Sequence, residues 1–155
     1  MLAVGDTLDS RRFSDVRSAV PEAVPALRHS LVEFVRAAGA DEQQCEAVRL
    51  AISEAITNVV LHAYGSERGL VHLSASIAGS EIWVTVADDG RGITAPSEHP
   101  GLGQGLALIG AVSKSIAILR RSSGGTELRL RFALRSRVAA APPPLRLVRR
   151  EAEVA

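Results

Sequence analysis

Apolar residues recur along this chain with two periods, three-to-four and two, and each change of period marks a new element. Val24, Leu27, Leu31, Val32, Phe34 and Val35 keep helical spacing up to Gly39, a residue suited to a helix stop. Ser18 is a candidate cap for that helix, and Pro21 fits an early helical position. Asp41 can cap a second, longer helix from about Glu42 to Tyr64, ended by Gly65. Its apolar stripe is Val48, Ile52, Ala55, Val59 and Ala63. Leu70 to Ile77 alternates as a strand, Ala78-Gly79-Ser80 turns, and Ile82 to Ala87 returns as the second arm of a hairpin. Asp88 to Gly103 then reads as a polar loop of roughly fifteen residues, a length found in lids, binding loops or disorder. A helix resumes near Gln104 and runs to about Val112. Strands follow at Ser115 to Arg120 and Glu127 to Leu134, joined by Ser122-Ser123-Gly124-Gly125. Arg11 to Arg17 is a short opening strand with weaker alternation.

This order predicts an α+β fold, a two-layer sandwich of a mainly antiparallel sheet with helices on one face. At 155 residues and 16.3 kDa the chain is long enough for one core. Residues 1–135 are expected to form the domain. Residues 136–155, with Ala139-Ala140-Ala141-Pro142-Pro143-Pro144 and an Arg-containing end, read as a flexible tail. Apolar residues make up 46% and aromatics only 3%, so the core has to come from Val, Ile, Leu and Ala.

A net charge of +1 argues against a general nucleic-acid binder, where a basic excess is expected. Cys45, the only cysteine, rules out an internal disulfide and reads as a packed thiol. The first ten residues lack a basic stretch followed by an apolar run, and no window approaches about eighteen uninterrupted apolar residues. A cytoplasmic protein without direct nucleic-acid or membrane contact is the expectation.

Three segments carry candidate chemistry. Glu54, Asn58 and His62 stand at i, i+4 and i+8 of the second helix, beside its apolar stripe. At about 100° per residue they line one edge, where polar groups are partly dry. Asn58 offers a neutral oxygen for Mg²⁺, and Glu54 can accept a proton from an attacking hydroxyl. An incidental polar helix edge has the same spacing. Next comes Asp88-Asp89-Gly90-Arg91-Gly92-Ile93, directly after a strand. Its glycines let a flat ring approach the main chain, and Asp88 is placed to accept a bond from an exocyclic amino group. An ordinary Asp-Gly turn has this composition too. The third segment, Gly101-Leu102-Gly103-Gln104-Gly105-Leu106, leaves bare N–H groups at a helix N-terminus, which favours phosphate oxygens. It lacks the lysine of a G-x-x-x-x-G-K-[ST] loop, so a Walker-type ATPase is excluded.

Glu-x-x-x-Asn on a helix, Asp-x-Gly-x-Gly after a strand, a Gly-rich run into a helix, and Gly124-Gly125-Thr126 before the last strand form a specific series. This series resembles the GHKL superfamily of ATP-binding domains, the Bergerat fold, over about residues 11 to 135. Within it the chain is most similar to the small anti-sigma factor serine kinases of bacterial stress and sporulation control, a subgroup favoured by the continuation Asn58–His62–Ala63–Tyr64. The resemblance implies Asn58 as Mg²⁺ ligand, Glu54 as general base and Asp88 on the adenine amino group. Gly90, Gly92 and Ile93 would lie by the ring, with Gly92 beneath it and Thr126 supporting through its hydroxyl or a water. Gly101, Leu102, Gly103, Gln104, Gly105 and Leu106 would lie by the phosphates, and 89–102 would form a lid. Arg91 and His99, within that lid, match no strict motif. His62 either closes the helix end or touches the ligand.

The function implied is that of an ATP- and Mg²⁺-dependent protein serine/threonine kinase. It would phosphorylate an anti-anti-sigma protein, sequester a sigma factor and form a homodimer. The alternative is a non-catalytic, ATP-dependent protein-interaction module. A sensor histidine kinase would need long N-terminal helices carrying a phosphoacceptor histidine, and His29 is better read as an ordinary helix residue. A metal hydrolase built on His62 and His72 lacks a third ligand at suitable spacing.

Overall fold

A computed structural model describes residues 11–92 and 102–135, with side chains in the last helix described from residue 104 onward. The elements run β1 (Arg12–Ser18), α1 (Ala23–Ala37), α2 (Glu42–Asn58), β2 (Leu70–Ala78), β3 (Glu81–Asp88), α3 (Leu102–Val112), β4 (Ser115–Arg120) and β5 (Thr126–Ala133). The five strands form one antiparallel sheet in the order β1-β2-β3-β5-β4. This is the expected α+β sandwich.

The period-two alternation decides which face is covered. Val71, Leu73 and Ala75 of β2, Ile82, Val84 and Val86 of β3, and Leu128, Leu130 and Phe132 of β5 are all buried. They share one core with Leu27, Leu31 and Val35 of α1, Val48, Ile52 and Ile56 of α2, and Ile109 of α3. Phe13 of β1 meets Phe34 of α1 with ring centroids 5.5 Å apart. Among the described residues the other face carries no helix, and Val16, Leu70 and Trp83 stand exposed on it. Cys45 is buried within the core, and burial pushes its thiol pKa up, as a packed cysteine requires.

α2 is anchored at its start by a capping box. The Gln44 N–H donates to Asp41 Oδ1 at 2.8 Å, and the Asp41 N–H donates to Gln44 Oε1 at 2.9 Å. Gln44 Nε2 also donates to the Ala133 carbonyl at 2.8 Å, tying the helix to the end of β5.

Local expectation is corrected in three places. Ser18 does not cap α1, because the β1–β2 ladder runs through the Ser18–Leu70 pair and takes this residue as the last of its strand. Pro21 sits in the connecting turn, and the helix starts at Ala23 behind Glu22, which makes no side-chain cap bond. The second helix is α-helical only to Asn58. Residues Val59–Ala63 widen into a π-helical turn, so spacing by 100° does not extend to His62. Finally, α3 begins at Leu102 rather than Gln104, drawing Gly103 into its first turn ahead of Gly105. Packing against α2 offsets the low helix propensity of glycine there.

Candidate functional site

Among the described residues, three polar side chains are buried: Gln44, Asp88 and Thr126. The capping box accounts for Gln44. The other two face each other, because Ala87 pairs with Glu127 in the β3–β5 ladder and the next pair outward is Asp88 with Thr126. Asp88 continues the inward row of Ile82, Val84 and Val86, and Thr126 that of Leu128 and Leu130. Strand alternation therefore turns a carboxylate and a hydroxyl into the covered side of the sheet, at the same end of two neighbouring strands.

Asp88 Oδ1 accepts from the Gly90 N–H at 2.9 Å and the Thr126 N–H at 3.4 Å. Burial pushes its carboxyl above the ordinary carboxylate range. The backbone bonds from Gly90 and Thr126 and the nearby Arg121 charge oppose that shift, while the charge of Asp89 adds to it. A carboxylate offers about four acceptor positions, so two backbone bonds leave capacity for a ligand donor.

The pocket beside this pair is lined by Asn58, Val59 and His62 from α2 and the π-helical turn, by Gly92, and by Leu106 of α3. Its other walls are small or aliphatic, including Ala55, Val86 and Leu128. An apolar slot with one buried carboxylate and one hydroxyl at its end suits a flat, amine-bearing ring. Gly90 makes the corner possible. A Cβ there would stand 2.1 Å from the Ala63 carbonyl oxygen, and the Arg91 N–H donates to that same oxygen at 2.8 Å. The turn after β3 is thereby sewn to the end of the π-helical segment.

Glu54 lies one turn before Asn58, half-buried, where α3 crosses. A Cβ at Gly105 would sit 3.0 Å from Glu54 Oε2 and 3.7 Å from Asn58 Oδ1. Glycine is what lets the first turns of α3 approach both oxygens. Among the described residues no cluster of three His, Cys, Asp or Glu could hold a metal ion. A divalent cation at this site would have Asn58 as its protein ligand, with Glu54 alongside. Mg²⁺, which keeps water and phosphate oxygens in its shell, fits that sparse donor set.

Glu54, Asn58, Asp88, Gly90, Gly92, Gly105, Leu106 and Thr126 are thus brought to one end of the sandwich, while Gln104 is exposed and does not line the pocket. Ile93, Gly101 and most of the expected lid, His99 included, lie outside the described residues. Leu102 and Gly103 form the start of α3. His62 reaches the pocket wall, whereas His72 lies on the open face of β2, bonded to Asp89 at 3.0 Å through Nε2. The two histidines serve opposite faces and share no site. His29 is exposed on α1. Sequence reasoning missed Arg121 and Ser123, which meet Asp89 from the β4–β5 turn, and Tyr64, whose hydroxyl accepts the Asp89 N–H at 2.8 Å. No local pattern marks an arginine in a turn as a partner of a residue thirty positions earlier.

Residues 17–132 match the family described as histidine kinase-like ATPase domain. The chain is 30% identical over 112 residues to the anti-sigma F factor of Clostridium kluyveri, covering 65% of this chain and 79% of that protein. It is 28% identical over 145 residues to the serine-protein kinase RsbW of Bacillus cereus, covering 82% of this chain and 90% of that one. Among solved structures, it is similar to a Mycobacterium tuberculosis protein crystallised with its RsbU and RsbW domains. The TM-score is 0.63 at 25% identity, over 81% of this chain and 34% of that one. The present chain therefore spans about a third of that larger protein.

Proposed function

The chain belongs to the histidine kinase-like ATPase domain family, and from that premise we propose that it is an ATP-dependent serine/threonine kinase that also sequesters a sigma factor. Its phosphoryl acceptor is a small anti-anti-sigma protein. The names of its relatives support this reading, and one observation carries it. The buried Asp88–Thr126 pair stands at one end of a slot whose other end brings Glu54 and Asn58 against the Gly105 turn of α3.

The geometry supports the following roles. Asp88 accepts the adenine amino group, with Thr126 beside it and Gly90 and Gly92 leaving room for the ring. Val59, Val86 and Leu128 exclude water from the base. Gly103 and Gly105, at the head of α3, turn backbone N–H groups toward phosphate oxygens, where the helix dipole favours negative charge, and Gly101 joins them in the sequence just before. Leu102, Gln104 and Leu106 flank that turn, and Ile93 belongs to the segment leading to it. Mg²⁺, held through Asn58, would supply charge neutralisation on the phosphates. Glu54 takes the proton of the acceptor hydroxyl as its oxygen bonds to the γ-phosphorus and the bond to ADP breaks. Phosphoryl transfer is mostly positioning and charge stabilisation, so a base and one amide ligand suffice as side-chain chemistry.

Residues 1–135 carry this activity, and the tail from 136 is dispensable for nucleotide binding. The working form is a homodimer in the cytoplasm. On the open sheet face, Val16 and Leu70 stand exposed at one end and Trp83 at the other, and among the described residues no helix is long and apolar enough to cross a membrane.

Glu54→Gln is the decisive variant. It keeps the shape and the neighbour contacts, so Mg-ATP binding should persist while labelling of a co-purified partner falls on the order of a hundredfold or more. Unchanged labelling removes Glu54 from the chemistry. Binding and partner capture in the wild type with no labelled partner after long incubation would instead establish the interaction-only module.

A further inference from the structure

We propose that Asp89 and Arg121 form a clamp on the outer side of the sheet that holds the end of β3, and so positions Asp88 for the base of the nucleotide. Alternation separates the two neighbours. Asp88 turns inward to the pocket, and Asp89 turns outward, where its carboxylate is the meeting point of three elements. Arg121 Nη1 donates to Asp89 Oδ1 at 2.7 Å and to the main-chain carbonyl of Asp88 at 3.1 Å. Ser123 Oγ donates to Asp89 Oδ1 at 3.3 Å, and His72 Nε2 of β2 lies 3.0 Å from Asp89 Oδ2. The Asp89 N–H donates to the Tyr64 hydroxyl, which itself donates to the Leu70 carbonyl at the start of β2.

Each bond alone is of the half-exposed kind that contributes little. Their arrangement matters more. The β3 ladder ends at Asp88, and a strand end without ladder partners swings. One guanidinium nitrogen that donates to both the Asp88 carbonyl and the Asp89 carboxylate removes that freedom, because the planar group fixes the directions of its two N–H bonds. The β4–β5 turn that supplies Arg121 is itself closed by the Arg121 N–H donating to the Gly125 carbonyl at 2.8 Å. The same turn leads into Thr126, the other half of the buried pair. The clamp therefore ties together the two strand ends that face the base. The Arg121 charge also opposes the effect of burial on Asp88, favouring the ionised acceptor. Neither Asp89 nor Arg121 lines the pocket; they are positioning residues.

The inference rests on the ATP reading above, so its test includes a measurement made without nucleotide. D89N and R121Q remove either half of the clamp, and R121K keeps the charge but loses the planar nitrogen with its two fixed N–H directions. Amide hydrogen exchange in the free protein reads the Gly90 and Thr126 N–H groups, both donors to Asp88 Oδ1. Their exchange should quicken about tenfold in D89N and R121Q, while Leu73 and Val84 in the core exchange as in wild type. Calorimetry with Mg-ATP should give a Kd raised about fivefold in each, the scale of one charge-assisted bond at a half-exposed site, with kcat nearly unchanged. The double variant should be no weaker than the worse single one. R121K should recover the melting temperature but not the affinity. Unchanged exchange at Gly90 and Thr126 overturns the clamp whether or not ATP binds. So does a loss of affinity that appears only where the melting curve shows unfolded protein. A wild-type chain that gives no heat with Mg-ATP sinks the kinase reading instead, and the exchange data still judge the clamp.

Discussion

Replacing Asp88 with asparagine should separate binding from stability, because the structure predicts opposite signs for the two. The side chain is 5% exposed and accepts backbone N–H bonds at 2.9 and 3.4 Å through one oxygen. Asparagine can keep both bonds with its carbonyl oxygen, but its NH₂ then occupies the second position and meets the adenine amino group donor to donor. The lost charge-assisted bond is worth about 1.5–3 kcal/mol, so the Kd for Mg-ATP should rise roughly ten- to a hundredfold. Stability should move the other way or stay level. Burial raises the folded carboxyl pKa above its unfolded value, so the ionised group disfavours the folded state at neutral pH. That penalty is fully present above the raised pKa and fades as pH falls through it toward the ordinary carboxylate value. The difference in melting temperature between D88N and wild type should therefore be zero or positive near pH 7 and shrink on acidification. The pair comparison cancels Asp89, whose pKa is lowered chiefly by its His72 bond and whose stabilising contribution is lost as pH falls. Calorimetry at pH 7 and thermal melts from pH 7 to the acid limb read both quantities. An ATP affinity equal to wild type refutes the assignment of Asp88. A loss of more than about 2 kcal/mol in stability, the cost of an orphaned buried polar group, refutes the claim that the two backbone bonds survive the exchange.

Other substitutions probe the frame of the site. Gly90→Ala places a methyl group 2.1 Å from the Ala63 carbonyl oxygen, which is backbone and cannot step aside. A stability loss of about 2 kcal/mol or more in denaturant melts is expected, with ATP binding weakened in parallel. Gly105→Ala brings its Cβ to 3.0 Å from Glu54 Oε2, the end of a side chain that can yield. Melting should fall little, while phosphate transfer drops several-fold, since the displaced group is the base; equal transfer rates would show that α3 does not crowd Glu54. Asp41→Ala removes half of the capping box and should lower stability by about 1 kcal/mol with no change in Kd for ATP. A changed Kd there would mean that the far end of α2 is coupled to the pocket.

How much could be read in advance differed between elements for physical reasons. β2, β3, β4 and β5 were legible to within a residue or two, because alternation is a direct record of a sheet with one covered face. The Asp41 cap and the Gly39 stop were equally plain, being local hydrogen-bonding and backbone preferences. Three features were not. Ser18 has the chemistry of a cap, but ladder pairing with Leu70 claimed it for β1. The π-helical turn after Asn58 follows from how Ala63 must meet Gly90 and Arg91, a contact between segments with no shared pattern. Gly103 reads as a loop residue and was recruited into α3 by the surface of α2.

Short-range periodicity and glycine placement carried the fold class, the covered face and the identity of Glu54, Asn58 and Asp88 as the groups to watch, since each is a property of neighbours within a few residues, while Thr126 entered only through the family resemblance. Their meeting is of another kind. The Asp88–Thr126 pairing depends on β5 lying beside β3 rather than beside β4 alone, and the approach of Gly105 to Glu54 depends on how two helices cross. The convergence of Tyr64, His72 and Arg121 on Asp89 joins four separate segments. No stretch of chain encodes those distances, because they are set by packing the whole core at once.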